Sequence, residues 1–219
     1  MNLILVRYLR LYILLFIFSC CLNTLGQKIL LKEIEKFSAK LIHPDTVLAR
    51  LQKENDLVIG FDTYNLAWGK PPHYLLVAKN GKRWRAYDYI IKEYVKVFMD
   101  STGKQFQEPF TIVNTFEIDS DLADSLFTVF KIQKVWELNC NALKEIFECS
   151  HVKNLKYDPC KISDASAVGL LVMTKQFVSS SSFYAPEYYE YECCPGNTDR
   201  QRFLATIAPI KQLFKKLIH

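Results

Sequence analysis

HYLLVAKNGKRWRAYDY, residues His73 to Tyr89, decides the fold. Two runs rich in aromatic and branched side chains flank Asn80-Gly81, a pair suited to a two-residue turn with positive φ at both positions. A hairpin turning there sets Lys79 opposite Lys82, Val77 opposite Trp84, Leu75 opposite Ala86 and His73 opposite Asp88. One face then carries Val77, Trp84, Leu75 and Ala86, which is core chemistry. The other carries Tyr74, Arg83, Arg85 and Tyr87 beside Leu76 and Ala78. A one-residue slip would turn the arginines inward, so the facing is strongly specified.

Outward from this hairpin, Leu57, Ile59 and Phe61 alternate as a strand, and Tyr94 to Met99 and Phe110 to Ile118 read as two more. Gly169 to Thr174 and Phe177 to Tyr184 read as a second hairpin. Leu30, Ile34, Phe37 and Leu41 recur at helical intervals, and Val47, Leu48 and Leu51 resume after His43-Pro44-Asp45. Asp119 or Ser120 caps a central helix with the stripe Leu122, Leu126, Val129 or Phe130, and Trp136. Ala142 to Phe147 is a candidate short helix. Thr198-Asp199-Arg200-Gln201 matches a capping box before the stripe Phe203, Ile207, Ile210, and Pro209 should kink that last helix. Strands in neighbouring pairs do not alternate as βαβ. The expected class is α+β: a mostly antiparallel sheet built from hairpins at 73–91 and 169–184. N-terminal, central and C-terminal helices pack on one face of it.

Of 219 residues half are hydrophobic, and 28 basic side chains stand against 23 acidic ones, a net charge of +5. That apolar share fills a core and excludes disordered and collagen-like chains. The mild charge and the lack of a dense basic run exclude a nucleic-acid partner. Lys211, Lys215 and Lys216 suit the last turns of a helix.

Residues 1–26 hold no acid. Arg7 and Arg10 precede an apolar run from Leu11 to Leu22, and Thr24 and Gly26 are small residues in the −3 and −1 positions before Gln27. This is the pattern of a removed signal peptide, leaving a single domain over 27–219. The run is shorter than the roughly 20 residues a spanning helix needs. Ile17-Phe18-Ser19 before Cys20 loosely resembles a lipoprotein cleavage box, so membrane contact through an uncleaved or lipidated N-terminus is the rival reading.

Export places the remaining cysteines, Cys140, Cys149, Cys160, Cys193 and Cys194, in an oxidising compartment. Five is odd, so at most two disulfides form within the chain. Adjacent cysteines are poorly placed to bond each other, which favours bridges from 193 or 194 back to the 140–160 cluster. Such a loop contributes about 4 kcal/mol in the entropy model. Zinc would need a C-x2-C or H-x3-H spacing that is absent around Cys149-Ser150-His151, so no metal is expected.

Three constellations could carry chemistry. His73 with Asp88 is a candidate oriented imidazole, against an ordinary cross-strand polar pair. Tyr74, Arg83, Arg85 and Tyr87 form a candidate anion or sugar-phosphate platform, against the solvated side of a hairpin. Tyr188, Tyr189 and Tyr191 with Glu190 suit a polyol, against an exposed strand entering a disulfide-pinned loop. No G-x-S-x-G, Walker, G-x-G-x-x-G, H-E-x-x-H or EF-hand motif is present, so no cofactor is expected. The leading expectation is an exported, non-enzymatic module binding a protein or a small polar ligand. A small secreted hydrolase and a membrane-tethered envelope protein are the alternatives.

Overall fold

A computed structural model describes residues 30–36, 39–65, 70–99, 105–138, 162 and 165–218. Helix α1 covers 30–36, followed by β1 (Ala39–Lys40), α2 (Thr46–Glu54), β2 (Leu57–Asn65), β3 (Lys70–Asn80) and β4 (Arg83–Met99). Then come β5 (Gln105–Glu117), α3 (Ser120–Gln133), β6 (Ala167–Met173), β7 (Phe177–Tyr184) and α4 (Thr198–Ile218). A 3₁₀ turn follows α3 at Val135–Glu137, and a π-helical turn, Tyr189–Cys193, precedes α4. The chain is α+β. The seven strands of the described residues form one antiparallel sheet in the order β1-β7-β6-β2-β3-β4-β5.

The first hairpin forms with a register two residues from the one expected. Asn80 pairs with Arg83, Val77 with Ala86, Leu75 with Asp88 and His73 with Ile90. The loop is therefore Gly81-Lys82. Gly81 has φ +60, while Lys82 is not among the residues with positive φ. Glycine first is what a II′ turn asks, whereas Asn-Gly would need both positions left-handed. The loop is held by its neighbours: Gly81 N–H donates to Asp56 Oδ2 at 2.8 Å, and Asn80 Nδ2 donates to the Glu54 carbonyl at 2.8 Å. A shift of two preserves the facing of every side chain.

The helices lie on both faces of the sheet, not on one as expected. On the first face α1, α3 and α4 bring Ile34, Leu126, Phe130, Phe203, Ile210 and Phe214 onto Ile59, Phe61, Val77, Trp84, Leu170 and Phe183. On the second, α2 lays Leu48 and Leu51 over Val58, Leu76, Ala78, Tyr87 and Met173. The reason is that β2 is central and apolar on both sides, so each needs a cover. Burying each of those two leucines contributes about 1.5–3 kcal/mol.

Other expectations shift at element ends. The N-terminal helix does not reach Leu41: residues 39 and 40 pair with Phe177 and Val178 as β1, and Leu41 is exposed. Asp119 does cap α3, accepting from the N–H groups of Asp121 and Leu122. Leu122 is nonetheless partly exposed, and Trp136 lies buried in the 3₁₀ turn. Asn197, not Thr198, caps α4: its side chain accepts the Arg200 N–H at 2.9 Å, and Gln201 reaches Glu190 instead of folding back. Residues 1–26, the helix read at 142–147, and Cys140, Cys149 and Cys160 lie outside the described residues.

Candidate functional site

The second sheet face carries the site, and α2 frames it. Asp45 caps α2, its Oδ1 accepting the Leu48 N–H at 2.9 Å. Gln52, fully buried on α2, ties this corner down. Its Oε1 accepts the His43 N–H at 2.9 Å, and its Nε2 donates to the carbonyls of Leu41 at 2.9 Å and Thr174 at 3.0 Å. Asp45 is thereby fixed above the sheet, where its Oδ2 accepts the Tyr89 hydroxyl at 2.7 Å.

Strand pairing sets Gly169, Asp62, Tyr74 and Tyr89 side by side on that face, one from each of β6, β2, β3 and β4. Tyr74 and Tyr89 stack, with ring centroids 5.5 Å apart and planes 14° from parallel. Tyr89 is fully buried, while Tyr74 is half-buried. Asp62 leans onto β6, its Oδ1 accepting the Gly169 N–H at 2.6 Å. Burial raises the Asp62 carboxyl above its ordinary range, against the lowering effect of the Gly169 and Asp62 N–H groups. Among the described residues no lysine or arginine bonds to it. Burial, together with the charges of Asp62 and Asp45, pushes the Tyr74 hydroxyl up to about 12. The row is thus an aromatic surface with negative charge on two sides.

Of the expected platform, Tyr74 belongs to this row and Tyr87 does not. Tyr87 is buried under α2. Arg85 shares the face but lies at the other end, its Nε donating to Glu117 Oε1 at 2.7 Å. Arg83 is exposed beside the turn. The positive charge expected for an anion platform is therefore partly neutralised.

The tyrosine-glutamate run is helical, not an extended strand. Of its tyrosines only Tyr191 is strongly exposed, at 71%. Tyr188 and Tyr189 meet edge to face, and Tyr189 is buried against Tyr184. Glu190 is buried as well. Its Oε2 accepts from Arg200 Nε at 2.9 Å, and its Oε1 from the Gln201 amide at 2.6 Å and the Gly196 N–H at 3.0 Å. Burial alone would raise this carboxyl, but those donors hold it below its ordinary range. Arg200 Nη2 also donates to the Cys194 carbonyl. Glu190 therefore serves the packing of the α4 entry. Cys193 and Cys194, both disulfide-bonded, flank the same corner.

His73 and Asp88 do meet, though as diagonal neighbours, because each pairs directly with another residue. His73 Nε2 lies 2.5 Å from Asp88 Oδ1, and Asn114 Nδ2 donates to Asp88 Oδ2 at 3.1 Å. This group stands on the first face, away from Asp62. Among the described residues no three His, Cys, Asp or Glu side chains gather as metal ligands.

Sequence reasoning missed Asp62, Asp45 and Tyr89. The available signal was an aspartate inside a central strand, where that residue type is depleted. Asp45 carried a second, the cap position before a helical stripe. No known protein family and no curated protein matches this chain.

Proposed function

We propose that this protein is an exported binding module whose second sheet face takes a cationic, amine-bearing group of a ligand or partner. The observation that carries the reading is the placement of Tyr74 beside the Asp62 and Asp45 carboxylates, Asp62 being half-buried and bonded to no lysine or arginine among the described residues. An ammonium group set over the Tyr74 ring would meet the ring's negative face and the Asp62 carboxylate together. A polyol could donate hydroxyls to the carboxylates but would not neutralise their charge. The cost of holding a desolvated carboxylate in the free protein is what a charged ligand would offset.

The leader read at residues 1–26 supports export, and no helix of the described residues is long and apolar enough to cross a membrane. In an oxidising compartment Cys193 and Cys194 would pair with two of Cys140, Cys149 and Cys160, stapling the α4 entry to the segment before β6.

Intact mass of the protein purified from the exported fraction tests the first half. A start at Gln27 with one free thiol is expected. An acylated Cys20, or an intact leader with five free thiols, contradicts it. Titration with tetramethylammonium and putrescine, followed by tyrosine fluorescence, tests the second. Saturable binding that Asp62→Asn weakens at least about tenfold is expected, since a desolvated charge contact carries well over 1 kcal/mol. Equal binding of glycerol, or no binding of either amine, contradicts it.

A further inference from the structure

On the opposite face of the sheet, the geometry assigns His73 as the general base of a hydrolytic site for carboxylic esters with a short apolar acyl group. Asp88 and Asn114 are its positioning residues. The inference is independent of the amine site and goes beyond binding.

Asp88 is 5% exposed, and both its oxygens are engaged, one by His73 and one by Asn114. A carboxylate accepts, so Nε2 is the ring nitrogen placed to donate to Asp88, and Nδ1 is the one left to take a proton. The His73 side chain is 41% exposed, and its contact with Asp88 is made by Nε2, not Nδ1. This is the polarity an activating imidazole requires: one nitrogen fixed by a buried acid, the other presented outward.

The surroundings set the substrate class. Strand pairing places Ile90 beside His73 and Ile112 beside Ile90, both half-buried. The next row toward the helices holds Leu75, Asp88 and Asn114, and the core proper follows at Val77, Ala86 and Phe116. Ile90 and Ile112 therefore set a short apolar strip beside His73, suited to a small acyl group.

In the reaction, water attacks the ester carbonyl as Nδ1 takes its proton, leaving an imidazolium paired with the Asp88 carboxylate. The tetrahedral intermediate expels the alkoxide, which takes the proton back from Nδ1. One ester and one water give one acid and one alcohol, and the imidazole is regenerated.

The test uses the mature full chain with p-nitrophenyl acetate and p-nitrophenyl butyrate. Hydrolysis about 100-fold faster than the same concentration of free imidazole is expected, the scale of positioned base catalysis, with butyrate preferred. His73→Gln, which keeps an amide donor for Asp88 at a half-exposed position, should remove it while the protein stays folded. Nitrogen NMR of His73 supplies a readout that needs no turnover and should find Nε2 protonated and Nδ1 bare. Asn114→Ala should lower the rate and let the tautomer redistribute. Turnover no faster than free imidazole, turnover retained by His73→Gln, or a proton resident on Nδ1 would each overturn the assignment. Amine titration reads Asp62 on the other face, so failure of one proposal is distinguishable from failure of the other.

Discussion

Asp62 Oδ1 lies 2.6 Å from the backbone nitrogen of Gly169, a carboxylate resting on the neighbouring strand where a side chain would otherwise stand. A Cβ added at Gly169 would sit 2.2 Å from that oxygen. Gly169→Ala must therefore push the carboxylate off β6, at a cost of about 1–3 kcal/mol typical of overpacking. Chemical denaturation should find Asp62→Ala/Gly169→Ala less destabilised than the sum of the single variants, because the two changes share one contact.

Asp62→Asn should stabilise the protein at neutral pH. The carboxyl of Asp62 is raised by burial above its ordinary value of 3.8, so the folded state binds its proton more tightly than the unfolded chain does. Stability then falls as pH rises from about 3.8 through the raised value, and the deficit is complete above it. An asparagine keeps an oxygen for the Gly169 N–H without the charge. Thermal melts from pH 3 to pH 8 should find the variant's advantage growing with pH and vanishing at the acid end. An advantage independent of pH would mean that charge is not the cause.

Glu190 gives the opposite sign. Its carboxyl lies below the ordinary range, so its contribution is present above that range and lost as pH falls through the lowered value. Glu190→Ala leaves the Arg200 guanidinium, which has no exposed surface, without its carboxylate. The expected loss is about 3–5 kcal/mol in denaturant unfolding. Replacing both residues by apolar ones of similar size should cost less than Glu190→Ala alone.

At the first turn, Gly81 has φ +60 and open space around its Cβ position. Gly81→Ala should cost about 1 kcal/mol from backbone strain alone, and Gly81→Asn less, since asparagine tolerates that region. Equal losses for both, measured by urea unfolding, would point to a contact at Gly81 and not to φ.

Hairpin pairing, strand facing and the α+β class were legible because alternation of apolar and polar residues is local. Val77, Trp84 and Ala86 lie in the core as their pattern requires. The register was not legible, because it depends on Asp56 and Glu54, residues from another element that hold the turn one residue on. The placement of β6 beside β2 was invisible for the same reason: nothing near Asp62 in sequence announces Gly169. The tyrosine-glutamate run misled because its alternation is also compatible with a π-helical turn. His73 with Asp88 was found although the register was wrong, since a two-residue shift leaves the pair diagonal on the same face.

The most direct measurement is an NMR titration of the isotope-labelled mature protein with putrescine, at neutral pH and again below the raised carboxyl value of Asp62. Saturable shifts centred on Tyr74, Asp62 and Gly169, with affinity falling at least about tenfold once that carboxyl is protonated, are the predicted result. Affinity unchanged by acid, or shifts confined to the rest of the surface, would contradict it.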